Sequence, residues 1–111
     1  MTYLLSTAQL TDQPITDFTE VRGLLVALQT NQELEFVVVA SSEDKVHYIQ
    51  TYYLEDGVYL VEMSESKTHY RDQSASLEQV ITSFEQYYAG EGLGSALNWQ
   101  DVSSQYNKSQ H

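Results

Sequence analysis

The chain has 111 residues, with sixteen Asp and Glu against five Lys and Arg, giving a formal charge of −11, and it contains no cysteine. That length suits one domain, able to bury roughly 65% of the surface exposed by its unfolded form. Disulfides, thiolate metal sites and a cysteine nucleophile are excluded, and the acidic balance leaves no basic face for phosphates, so no nucleic-acid partner is expected.

The opening run MTYLLSTAQLTDQP lacks the basic start and long apolar core of a secretory signal. No apolar run approaches the roughly 20 residues of a membrane span, so a soluble cytoplasmic protein without a membrane partner is expected. Tyr3 to Leu5 reads as a short strand, and Pro14 punctuates the chain after it. Asp17 followed by Glu20 has the form of a capping box, with Asp17 accepting from first-turn amides. Phe18, Val21, Leu24, Leu25 and Leu28 then recur at three- and four-residue steps, which predicts a helix ending near Thr30. Gly23 inside it is expected to allow close packing on a sheet.

The run Leu34 to Ser41, LEFVVVAS, is rich in β-branched residues and too short for a helix. It reads as a strand covered on both faces, hence interior to the sheet. Val46 to Met63, VHYIQTYYLEDGVYLVEM, is two strand-like runs joined at Asp56-Gly57. That dipeptide signals a type I′ hairpin, because both central residues need positive φ. A two-residue loop pairs Leu54 with Tyr59, Tyr52 with Val61 and Gln50 with Met63. In that register Val46, Tyr48, Tyr52, Leu54, Tyr59, Val61 and Met63 form the core face. His47, Ile49, Thr51, Tyr53, Val58, Leu60 and Glu62 form the other, which is too apolar and aromatic for an ordinary wet surface.

Ser64 to Lys67 make a turn, and Thr68 to Arg71 a short edge strand blunted by charge. Ser76 with Gln79 is a second capping box, opening a helix with Leu77, Val80, Ile81, Phe84 and Tyr88 on one face. Gly90 is placed to end it in a left-handed turn. A loop follows to Leu97, and Asn98 to Val102 is extended, adding a strand or docking Trp99. The expectation is one α+β domain over residues 1–103, in β-α-β-β-β-β-α order: an antiparallel meander of four to five strands with two helices on one face, and a flexible tail at 104–111.

Chemistry-bearing motifs are sparse. His47 and His69 sit in no metal-ligand spacing, and strand histidines are the plainer reading, although the fourth strand could bring them together. His69-Tyr70-Arg71-Asp72 lacks a serine elbow, and Arg71 reads as pairing with Glu62 or Asp72. Gly90-Glu91-Gly92-Leu93-Gly94 follows a helix rather than a strand, so a nucleotide site fails on context. No catalytic, cofactor-binding or metal site is expected. The candidate site is instead an interface of Ile49, Tyr53, Val58, Leu60, Glu62 and Trp99, because an apolar and aromatic patch on a small domain marks a partner site.

An acidic field together with a second apolar sheet face predicts a non-enzymatic domain that steers and anchors a basic protein. The hairpin IQTYYLEDGVYLVEM, the HYR strand, the helix SLEQVITSFEQYYAG and the NWQDVS segment resemble short acidic bacterial proteins, uncharacterised or of the immunity type. The resemblance implies a partner encoded nearby, such as a toxin, and assigns no residue a role. A weaker resemblance links the chain to small acidic dimeric secretion chaperones. The alternatives are a small-ligand or metal-binding domain with an enzymatic role, and a homodimer formed through Tyr53, Val58 and Leu60.

Overall fold

A computed structural model describes residues 2–43, 47–65, 68–91 and 93–104. Along the chain run β1 (Tyr3–Ser6), β2 (Gln13–Pro14), α1 (Phe18–Ala27), a 3₁₀ turn (Gln32–Leu34), β3 (Val37–Ser41), β4 (Tyr48–Glu55), β5 (Val58–Glu65), β6 (Thr68–Ala75), α2 (Leu77–Tyr88) and β7 (Gln100–Asp101). The described strands form one antiparallel sheet in the order β2-β1-β3-β4-β5-β6-β7. The α+β class therefore stands, with seven strands where four to five were expected. β2, which holds Pro14, is the unexpected strand, whereas β7 falls within Asn98 to Val102, expected to add a strand or dock Trp99; both are two-residue strands at the margins. No helix among the described residues is long and apolar enough to cross a membrane. Most of the expected tail, residues 105–111, lies outside the described residues, as does Val46, expected on the core face.

Helix ends follow their local chemistry. The Asp17 carboxylate accepts the Thr19 amide at 2.9 Å and so caps α1. Glu20 does not complete a box: it accepts the Thr16 hydroxyl at 3.1 Å instead. Hydrogen bonding from the Thr19 backbone first, and from its side chain second, holds the Asp17 carboxyl below the ordinary range. The cap therefore stabilises above the unfolded-state pKa and fades as pH falls through the folded one. At α2 the box is complete, with Ser76 Oγ accepting the Gln79 amide at 3.3 Å and Gln79 Oε1 accepting the Ser76 amide at 2.9 Å. Gly90, at φ +86°, closes α2 in a Schellman motif, donating to Tyr87 O while Glu91 donates to Gln86 O.

Both helices pack against each other and on one face of the sheet. Val21, Leu25, Val80 and Phe84 meet Tyr3, Leu5, Val37, Val39, Ile49, Tyr59, Val61 and Met63 in a single core. Gly23 is not part of that contact. It is exposed and a methyl group there would touch nothing, so its expected role in close packing is corrected. Replacing it adds helix propensity without a steric penalty. Gly23→Ala should raise stability by up to about 1 kcal/mol, read as a shift in urea midpoint with unchanged slope.

The hairpin register is the main correction. Asp56 at φ +51° and Gly57 at φ +76° make the expected turn, and Glu55 faces Val58. Beyond that pair Leu54 is bulged out, so Tyr53 faces Tyr59, Tyr52 faces Leu60, Thr51 faces Val61 and Gln50 faces Glu62. A one-residue slip exchanges the faces of a strand. β5 keeps its predicted core residues Tyr59, Val61 and Met63, whereas β4 turns Ile49 and Thr51 inward and Tyr48, Gln50 and Tyr52 outward.

The physical reason is Gln50. An unbulged hairpin places it between Tyr48 and Tyr52 in the core, where a glutamine amide has no ladder partner and its burial is costly. The bulge exchanges it for Ile49, fully buried, and for Thr51, whose hydroxyl donates to Leu60 O at 2.9 Å. Tyr53 stays at the core margin, edge-on to Tyr59 at 5.1 Å, and its hydroxyl accepts the Gly57 amide at 2.9 Å. Deleting Leu54 should remove the bulge and leave every other pairing in place. The expected variant folds, with Ile49 and Thr51 amides still protected in hydrogen exchange; loss of their protection would contradict the bulged register.

β6 also runs longer than expected, to Ala75, and is not an edge because β7 pairs with it. Its own irregularity, between the pairs Val61–Asp72 and Tyr59–Ala75, is held by Asp72. One carboxylate oxygen accepts the Ser74 amide at 2.8 Å and the other accepts the Asn98 amide at 2.8 Å. A buried carboxylate thus ties the bulge to the segment that follows α2.

Candidate functional site

The sheet face opposite the helices carries the remaining chemistry. The strands place three cross-strand rows there. One row is polar at its centre: Gln50, Glu62, Arg71 and Gln100 stand side by side on β4 to β7. Arg71 donates to one Glu62 oxygen from Nε at 3.1 Å and from Nη2 at 2.8 Å, and Gln50 Nε2 donates to the other oxygen at 2.9 Å. Of the two partners the sequence allowed Arg71, Glu62 is the one the structure supplies. Leu4, Ala40 and Tyr48 form the apolar and aromatic part of one flanking row, which continues to Ser64 and His69, and Phe36, Tyr52 and Leu60 lie on the other side. These apolar and aromatic residues are half-buried, and neither described helix lies over them.

Glu62 is only 7% exposed although it lies on this open face. Its charge is felt by the neighbouring Tyr52 hydroxyl: burial of that phenol first, and the Glu62 charge second, push it above its ordinary range. The carboxylate is thus a saturated member of the sheet, holding β4, β5 and β6 in register, rather than a free acid or base.

A cleft of about 430 Å³ opens beside this face, where β3 begins and β4 ends. Phe36 and Tyr52 form one wall, with ring centroids 6.2 Å apart, and Leu28 and Leu54 line it further. Gln32, Glu35 and Tyr53 complete the lining. Glu35 has φ +60° and ψ −46°, and Phe36 donates across it to Leu34 O at 2.6 Å, which is a γ-turn of the rare, strained hand. A second depression of about 310 Å³ at the β6 irregularity is polar and contains Asp72, which is engaged as described.

The candidate interface residues divide between the two sides of the sheet. Val58, Leu60 and Glu62 lie on the open face. Ile49 is fully buried on the helix side and so belongs to no surface. Tyr53 is half-buried at the core margin, edge-on to Tyr59, and lines the cleft beside Tyr52 rather than standing in the row of Leu60. Trp99 packs against the core and its indole N–H donates to Leu93 O at 2.9 Å, fastening the segment after α2. Reasoning from sequence missed Tyr48, Tyr52, Phe36 and Glu35. The signal for the first two was present, since Gln50 between them marks the strand face that should avoid the core.

The strand pairing places His69 across Ser64 from Tyr48, so β5 lies between His69 on β6 and His47, which immediately precedes β4. Among the described residues no group of three or more His, Cys, Asp or Glu is arranged to hold a metal. Comparison with known proteins finds no matching family model, no matching curated protein and no matching solved structure.

Proposed function

We propose that this is a non-enzymatic cytoplasmic domain that binds a basic protein on its uncovered sheet face, with neutralisation of a toxin as the particular version. The observation that supports it most is the open face itself. Tyr48, Tyr52, Leu60, Val38 and Ala40 are half-buried there with no covering element among the described residues, on a chain of charge −11. Tyrosine supplies large, rigid, amphipathic contact area, and an acidic field speeds encounter with a cationic partner. The field brings the partner in and the desolvated aromatics hold it.

The test is to mix the purified protein with products of neighbouring genes and follow complex formation by size-exclusion chromatography and stopped flow. The expected complex forms more slowly as ionic strength rises and is lost in Tyr48→Asp, which folds because Tyr48 is outside the core. No complex at any salt, or one indifferent to Tyr48→Asp, would overturn the proposal.

A further inference from the structure

We infer that the cleft between the 3₁₀ turn and the end of β4 receives an arginine side chain of the basic partner. The inference rests on the docking face proposed above and extends it to a chemically defined pocket. Tyr52 belongs to both, so an occupant of the cleft is continuous with a partner lying on the sheet.

The cleft matches a guanidinium on three counts. Its aromatic wall, Phe36 and Tyr52 tilted at 60° to each other, supplies two rings of the kind that attract a planar and weakly hydrated cation. Leu28 and Leu54 supply aliphatic surface for the three-carbon stem of the side chain. Glu35 adds a carboxylate at the rim, suited to the forked donors of arginine. No Lys, Arg or His is among the lining residues, and Glu35 makes no ion pair among the described residues, so its charge is not already neutralised there. By contrast the other carboxylate of this face, Glu62, is taken up by Arg71 and Gln50 and shielded from solvent. Lysine meets the charge requirement but not the planar stacking, and an anion meets neither.

The pocket is kept open by its backbone. The Glu35 amide donates to Gln32 O at 3.3 Å and the Phe36 amide to Leu34 O, so the turn projects from two short hydrogen-bonded steps rather than a mobile loop. At about 430 Å³ the cleft lies in the lower part of the range for ligand sites, roughly 300–1,000 Å³.

The direct test uses ¹⁵N-labelled protein titrated with N-acetyl-arginine N′-methylamide, with the norleucine and lysine analogues as controls. The expected result is saturable shifts of the Glu35, Phe36 and Leu54 amides with the arginine probe at roughly millimolar concentration, weaker shifts with lysine and none with norleucine. Glu35→Gln should weaken arginine binding about threefold or more, the scale of a partly exposed charge pair, while its circular dichroism stays that of the parent. Absence of saturable shifts, equal response to norleucine, or an unchanged dissociation constant in Glu35→Gln would overturn the arginine site. A partner complex lost in Tyr48→Asp but indifferent to Glu35→Gln would also overturn it and leave the docking face intact. Failure of the face alone would show as arginine binding in the cleft with no partner complex at any salt.

Discussion

Arg71→Met should destabilise the protein by about 3–5 kcal/mol, which for a chain of this size lowers Tm by roughly 10–20 °C. The Glu62 side chain is 10% exposed and that of Arg71 22%, so removing the cation strands a carboxylate that cannot recover full hydration. Gln50 still donates to it but carries no charge to balance it. The lower half of the range is expected, because Arg71 is itself partly wet and some of the pair's attraction is screened. A double variant, Glu62→Leu with Arg71→Met, should regain most of the loss, since an apolar pair needs no compensation at that site. Urea denaturation of the two variants measures both effects. A loss below about 1 kcal/mol in Arg71→Met would mean that Glu62 is hydrated in the folded state and that the row does not hold the sheet.

Ile49→Ala should cost about 2–5 kcal/mol, whereas Tyr48→Ala should cost about 1 kcal/mol. Ile49 is fully buried against the helices, next to Val39 and Met63 on the flanking strands, while Tyr48 faces outward. Deleting three carbons from the closed side leaves a cavity with fixed walls; on the open side water takes the space. The contrast between adjacent residues isolates the strand's orientation from its general importance. Reversed magnitudes would restore the unbulged hairpin and remove Tyr48 and Tyr52 from the docking face.

Features governed by neighbours along the chain are legible in the amino-acid sequence. Ser76 and Gln79 open α2, Gly90 closes it, Asp17 caps α1 and Asp56-Gly57 turns the hairpin, because each is settled within a few residues by hydrogen bonds or by φ. The interior position of β3 in the strand order is legible too from its run of valines, but the cover expected on both its faces is not: Val38 and Ala40 are only half-buried on the side away from the helices. What escapes depends on contacts distant in sequence. The bulge at Leu54 answers a choice between Ile49 and Gln50 for a place beneath α1 and α2, and no property of the turn discloses it. The pairing of β7 with β6 requires that Asp72 reach the Asn98 amide, twenty-six positions later. Ile49 left the candidate interface for the first of these reasons, while Tyr53 moved to the wall of the cleft. The cleft is hidden because Glu35 and Leu54 meet only once the two ends of β3 and β4 are brought level.

The stubs at the sheet's two margins have a bearing on how the protein behaves when crowded. Fibre growth by strand templating needs a long, flat row of free amides and carbonyls to copy. The two-residue borders, one of them carrying a proline, offer an incoming chain no such row, and β6 beyond its two pairs with β7 is interrupted by its irregularity after Asp72. Self-association of the folded protein should therefore proceed by stacking of surfaces and stop at small, countable assemblies, rather than elongate into filaments.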